Sequence, residues 1–274
     1  MPFVTIDGQP LHYIDQGVGP AVLLAGSYLW DQAMWAPQIA ALSQQYRVIA
    51  LDLWGHGESG PLPQGTVSLD DLARQALALL DHLDLERVTL VGLSVGGMWG
   101  TRLALFHPQR INGLVLMDTY LGAEPEATRQ YYFSLLKQIE EAGAITPQIL
   151  DIVVPIFFRP GIDPQSPLYQ QFRASLAALP PGRLRESIVP LGRITFGRED
   201  VLACLSQLNP QATLVMCGDQ DTPRPPSETM EMAELIGCPY RLVPEAGHIS
   251  NLENPRFVTE ALLAFLADRH PCSG

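Results

Sequence analysis

Residues 89–100 read TLVGLSVGGMWG. An apolar run, four glycines and a single serine, Ser94, share that short space. Glycine weakens any helix or strand it interrupts, so the cluster marks backbone that other residues could not follow. Gly92, Ser94 and Gly96 form G-x-S-x-G, whose chemistry requires a sharp strand-to-helix turn that lifts the serine above a sheet. Both flanks fit that context. RVTLVGL (87–93) is the short, continuous apolar run of a strand buried on both faces, and SVGGMWGTRLALFH (94–107) reads as a helix. The turn puts Ser94 at a helix N-terminus, where free N–H groups favour negative charge, and the Val95 amide would face a developing oxyanion. A serine that merely caps a helix would use the same residues, so the surrounding chain has to decide.

Apolar runs of the same kind recur: AVLLAG (21–26), RVIALD (47–52), INGLVLMD (111–118), ATLVMCGD (212–219) and YRLVPEAG (240–247). Between them lie helical stretches, including SLDDLARQALALLDHL with Ser68 as its cap. FVTI and LHYIDQG flank the turn sequence DGQP and predict an antiparallel hairpin. The alternation predicts an α/β fold, with a mostly parallel central sheet and helices on both faces. From residue 120 to 200 the rhythm stops. QYYFSLLKQIEEAG and PQILDIVVPIFF are helical in pattern, and the stretch is too long for a simple connection. The expected organisation is a core domain of residues 1–119 and 201–274, with a helical cap of residues 120–200 inserted after LVLMDT.

The composition narrows the function. In 274 residues, 47% are hydrophobic, 17% are charged and the formal net charge is −12. That suits a globular protein and argues against a nucleic-acid backbone as partner. MPFVTIDGQPLHYIDQG lacks the basic and apolar regions of a secretory signal, and no run approaches the roughly 20 apolar residues of a membrane span. Cys204, Cys217, Cys238 and Cys272 show neither metal-ligand spacing nor a disulfide framework. A cytoplasmic protein without metal or redox cofactor is expected.

A serine hydroxyl needs a base, and the base needs a partner that fixes its tautomer. Of six histidines, His12, His82, His107 and His270 read as surface or packing residues, and His56 in WGHGES as structural or pocket-shaping. His248 in EAGHISNLENP follows a predicted strand and can reach the C-terminal edge of the sheet, which makes it the candidate base. Three acids follow strands, namely Asp118, Asp219 and Asp221, and position alone leaves them open.

LLAGSYLWDQAMW, VIALDLWGHGESG, VTLVGLSVGGMWGTRLALFHPQRINGLVLMDT, VMCGDQDTPRPP and EAGHISNLENPRFVTEALLAFL together resemble the α/β-hydrolase fold family. Within it the chain is similar to the small esterase, 3-oxoadipate enol-lactonase and non-haem haloperoxidase-like branch. The resemblance implies a triad in the chain order Ser94, Asp221, His248, the family's Gly-x-x-Asp pattern selecting Asp221. It implies a second oxyanion donor in the Ser27 amide, although this chain has Ala25-Gly26 where many relatives carry His-Gly. Tyr28 and Trp30 would then border the substrate pocket. The apolar VVPIFF cluster of the cap, with Phe157 and Phe158, would line it, and the following Arg159 would stay at the surface. The implied activity is cofactor-independent hydrolysis of small to medium carboxylic esters or lactones through an acyl-enzyme. The same triad would also serve a C–C bond hydrolase or a perhydrolase or haloperoxidase-like enzyme. A non-catalytic small-molecule-binding protein of this fold is the alternative of another class.

Overall fold

The first two strands, β1 (Phe3–Ile6) and β2 (Gln9–Gln16), pair antiparallel. Asp7 and Gly8 join them at φ 50° and 80°, the left-handed pair that a two-residue hairpin needs. This computed structural model describes residues 2–269. The chain continues through β3 (Ala21–Ala25), α1 (Ala36–Leu42), β4 (Arg47–Leu51), α2 (Leu69–His82), β5 (Val88–Leu93), α3 (Val95–Phe106) and β6 (Ile111–Met117). α2 starts at a reciprocal cap. The Ser68 hydroxyl accepts from the Asp71 N–H at 3.2 Å, and the Asp71 carboxylate accepts from the Ser68 N–H at 3.1 Å.

Between β6 and the next strand the described residues form only helices and turns: α4 (Glu126–Ala142), α5 (Pro147–Ile156), α6 (Pro167–Ala177) and α7 (Pro181–Arg183). A π-helical turn (Leu184–Ile188) then runs into α8 (Val189–Phe196). Their apolar faces share one continuous core with the sheet, Leu136, Ile149, Phe172 and Leu191 among them. After residue 212 the alternation resumes with β7 (Thr213–Gly218), α9 (Pro226–Ile236), β8 (Tyr240–Val243), α10 (Ser250–Glu253) and α11 (Pro255–Arg269).

The eight strands lie in the order β1-β2-β4-β3-β5-β6-β7-β8. β1, β2 and β4 pair antiparallel, and every pair from β4 to β8 is parallel. The central strand β5 is buried along its whole length, which is why its sequence shows no polar alternation. β8 is shorter than the sequence suggests. It stops at Val243, and Glu245 at φ 55° turns the chain toward His248. Among the described residues no helix is long and apolar enough to cross a membrane. Cys204, Cys217 and Cys238 are free thiols; Cys272 and His270 lie outside the described residues.

Candidate active site

Ser94 sits between β5 and α3 at φ 55° and ψ −120°, a conformation that side chains disfavour. Neighbouring strands and helix hold it there. Its N–H donates to Met117 O at 2.9 Å, and its carbonyl accepts from Thr119 Oγ1 at 2.7 Å and from Gly97 N–H at 2.9 Å. The flanking glycines are a steric need. A Cβ on Gly92 would lie 2.5 Å from Gly96 O, and one on Gly96 would lie 2.3 Å from Ala25 O. Only bare backbone lets β3, β5 and α3 meet at this point.

His248 comes from the loop between β8 and α10. Its Nε2 is 3.0 Å from Ser94 Oγ and its Nδ1 is 2.9 Å from Asp221 Oδ2. With Nδ1 donating to the carboxylate, Nε2 is free to accept the serine proton. Asp221 is buried, and its other oxygen accepts from the Arg224 N–H at 3.0 Å. The histidine loop is itself tied down. Gly247 N–H donates to Glu253 at 2.7 Å, and Ile249 N–H donates to Phe157 O at 3.1 Å.

The other two acids are placed differently. Asp219 is exposed and, among the described residues, accepts only from the Ala246 N–H, at 3.3 Å. Asp118, one residue beyond β6, accepts from the Gly218 N–H at 2.8 Å and shares a 2.6 Å hydrogen bond with Ser250 Oγ. Burial, reinforced by the charge of Asp221, pushes its carboxyl well above the usual range. Asp118, Cys217 and Asp221 bring three potential ligand atoms within 4.8 Å of one another. All three already have hydrogen-bond partners within the protein. Burial, with those carboxyls beside it, keeps Cys217 a protonated thiol that donates to Gly218 O and Arg224 O.

Val95 is the first residue of α3, so its amide has no acceptor within the helix. Ser27 is buried and lines the same cavity as Ser94 and His248. Its N–H already has a weak acceptor, Met34 Sδ at 3.4 Å, and its hydroxyl has no hydrogen-bond partner. The loop that follows is held from another segment. His56 Nε2 accepts from the Leu29 N–H at 2.9 Å, with Leu29 at φ 70°, while its Nδ1 donates to Trp54 O at 2.9 Å. Burial pushes the His56 imidazole down to about 4, so the ring stays neutral and keeps the lone pair that this bond needs. Asp52 accepts from the Gln32 N–H at 2.7 Å and pairs with the fully buried His12 at 2.6 Å.

The cavity beside Ser94 is narrow, about 90 Å³, and its walls are mostly apolar: Met98, Leu136, Ile139, Val153, Ile156 and Phe157. Tyr28 borders it and donates its hydroxyl to Ile188 O at 2.7 Å. Trp30 and Phe158, expected in this pocket, do not line it. Trp30 stacks on Phe172 with ring centroids 4.1 Å apart, and Phe158 packs between Tyr169 and Phe172. The reason is local. At the end of α5 successive side chains diverge, so Phe157 turns to the His248 ring, centroids 5.7 Å apart, and Phe158 turns to α6. Arg159 stays partly exposed and meets Glu253 at 3.7 Å. The charged groups that do line the cavity are Glu124 and Arg224, backed by Arg198.

The sequence profile of the alpha/beta hydrolase fold matches residues 20–150. A 3-oxoadipate enol-lactonase of Acinetobacter baylyi is 30% identical over 248 residues, which cover 90% of this chain and 88% of the relative. This chain belongs to the α/β-hydrolase fold family. Among solved structures, an esterase from Thermogutta terrifontis is 28% identical with a TM-score of 0.85, covering 96% of this chain and 94% of its own. The enol-lactonase from Burkholderia xenovorans LB400 is 27% identical with a TM-score of 0.84, covering 97% and 100%.

In this α/β-hydrolase the Glu124, Arg198 and Arg224 group left no sign in the sequence. Its members lie 74 and 100 residues apart along the chain, so no local spacing links them. Their only trace is charge in otherwise apolar surroundings, as in GRITFGRED, which carries no motif.

Proposed function

We propose that this α/β-hydrolase is a serine hydrolase that cleaves small to medium carboxylic esters or lactones through an acyl-enzyme. One observation carries the reading: His248 lies 3.0 Å from the Ser94 hydroxyl on one side and 2.9 Å from the Asp221 carboxylate on the other. Ser94 Oγ attacks the carbonyl carbon as His248 Nε2 takes its proton, and Asp221 stabilises the imidazolium without being protonated. The Val95 and Ser27 amides receive the oxyanion, which is a far stronger acceptor than the Met34 thioether now facing Ser27. Collapse of the tetrahedral intermediate expels the alkoxide, protonated by His248, and leaves Ser94 acylated. His248 then deprotonates a water that attacks the acyl carbon and returns the proton to Ser94. Residues 120–200 act as a cap over the core of residues 1–119 and 201–274, and the apolar wall they contribute shapes the acyl site. The enol-lactonase and esterase relatives support this choice of substrate class.

A fluorophosphonate probe followed by peptide mass spectrometry tests the assignment, beside a panel of p-nitrophenyl esters and lactones. The adduct is expected on the peptide containing Ser94, and Ser94→Ala should lower turnover by a factor on the order of 10⁶. An adduct on another serine, or undiminished turnover in the folded alanine variant, would overturn it.

A further inference from the structure

Two guanidinium groups share one carboxylate beside the acyl cavity. Arg198 Nη1 donates to Glu124 Oε1 at 2.7 Å, and Arg224 Nη2 donates to Glu124 Oε2 at 2.9 Å. All three residues are more than nine-tenths buried, at 7%, 6% and 7% exposure for Glu124, Arg198 and Arg224. Glu124 is thereby used up. Among the described residues, Arg224 Nη1 and Arg198 Nε and Nη2 remain buried without any hydrogen-bond partner. A fourth member, Glu228, approaches Arg224 Nε at 3.5 Å, but burial pushes its carboxyl up to about 7. At neutral pH it therefore balances the second cation only in part. The Tyr120 ring, 6.0 Å from the Arg224 guanidinium, adds a cation–π contact but no acceptor.

Buried donors without acceptors, and a buried cation without a full counter-charge, are costly. A protein with an otherwise apolar acyl cavity gains nothing from them if its substrate is apolar. Arg224 and Glu124 line the same cavity as Ser94 and His248, and the Arg224 backbone N–H is the group that holds Asp221. We infer that the Arg224 side of this cavity is a subsite for a carboxylate on the substrate's acyl chain, received by the Arg224 guanidinium. Glu124 and Arg198 are its positioning residues. Glu124 fixes the fork of Arg224 through Nη2, which leaves Nη1 for the ligand, and Arg198 supplies the charge that keeps Glu124 from repelling it. The inference rests on the ester-hydrolase reading above and narrows it: the substrate is a half-ester, or a lactone bearing a free acid.

The test compares monoethyl esters of glutaric, adipic and pimelic acid with neutral partners in which an isopropyl group replaces the carboxyl, scored by ethanol release. For the best-fitting length, the acidic ester should exceed its neutral partner in kcat/KM by about ten- to a hundredfold, as expected of a charge-assisted hydrogen bond in a dry site. Arg224→Met should collapse that ratio toward one, and Arg224→Lys should retain part of it. A second measurement on the wild-type protein guards against misfolded variants: free glutarate, adipate or pimelate should inhibit neutral-ester hydrolysis more strongly than the matching monocarboxylates. Equal rates for acidic and neutral esters at all three lengths would overturn the subsite while leaving the hydrolase reading intact, as would a ratio unchanged in Arg224→Met. If neither ester is cleaved and Ser94 takes no phosphonate, the hydrolase reading falls. Calorimetric binding of the dicarboxylates against the monocarboxylates then still decides the subsite.

Discussion

Asp118 and Asp221 stand at the ends of adjacent strands with carboxyl oxygens within 4.8 Å of each other, and only Asp221 bonds His248. Replacing it with asparagine should leave the imidazole in place with the wrong tautomer and lower kcat by a factor on the order of 10⁴. Asp118→Asn should differ. The amide oxygen can still accept from Gly218 N–H, and the amide nitrogen that takes the place of Oδ2 can donate to the Ser250 hydroxyl, which now donates to the carboxylate, so the loss should stay within about tenfold. Stopped assays on the two variants, each checked by thermal melting, separate them. Equal severity would mean that the charge of Asp118 is needed.

His56 should make the fold acid-sensitive. Its imidazole is neutral in the folded chain down to about 4, whereas in the unfolded chain it protonates near 6.5. The folded state therefore binds fewer protons in that window. Stability is complete above pH 6.5 and declines as pH falls toward 4, by about 3 kcal/mol for a shift of this size. His56→Phe leaves the Leu29 N–H unpaired and should cost about 1–3 kcal/mol at pH 7. Urea unfolding at pH 7 and pH 4 should show the gap between wild type and variant closing on acidification. A constant gap would show that the ring's protonation is not linked to folding.

Gly96→Ala should be far more harmful than a single methyl suggests. The new Cβ would sit 2.3 Å from Ala25 O, which is backbone and cannot swing aside. β3 and α3 would have to separate, and the stretch carrying Ser27 would move with β3. The expected result is a loss of at least about 1–3 kcal/mol in stability, together with a fall in kcat in whatever fraction folds. Denaturant titration and turnover per labelled active site measure the two effects.

Phe157 and Phe158 should separate specificity from stability. Phe157 lines the cavity, so Phe157→Ala should move the best acyl length upward, each added methylene being worth about 0.8 kcal/mol where it is buried. Phe158 packs against Tyr169 and Phe172, so Phe158→Ala should cost about 3–5 kcal/mol of stability and leave the length preference where it was. An ester series of rising length, run on both variants beside their melting curves, gives the answer. Two identical length profiles would show that the cavity wall lies elsewhere.

What the sequence disclosed follows the range of the physics involved. The strand–turn–helix around Ser94 is local: its glycines, its apolar run and its helical spacing all lie between residues 87 and 107, so the turn could be read directly. The Asp7–Gly8 hairpin and the Ser68 cap were legible for the same reason. The partner of His248 was not legible from position, since Asp118, Asp219 and Asp221 all follow strands; in the folded chain only the Asp221 carboxylate of the three meets the imidazole. Trp30 and Phe158 were misplaced because aromatic composition marks burial without saying which side of a helix end a ring will take. Arg224 escaped altogether, its partner Glu124 being 100 residues away. Ser27 illustrates a subtler limit, because only the folded chain brings the Met34 sulfur to its amide.

The hydrogen bond from Ile249 N–H to Phe157 O joins the end of α5 directly to the loop of His248. Glu253 doubles that joint, accepting from Gly247 N–H at 2.7 Å and from Arg159 N–H at 3.1 Å. The two segments are so close that a Cβ on Gly247 would lie 2.3 Å from Arg159 N. This end of the helical region is therefore bonded directly to the loop that carries His248. A displacement of α5 would pull on that loop and on the imidazole it carries.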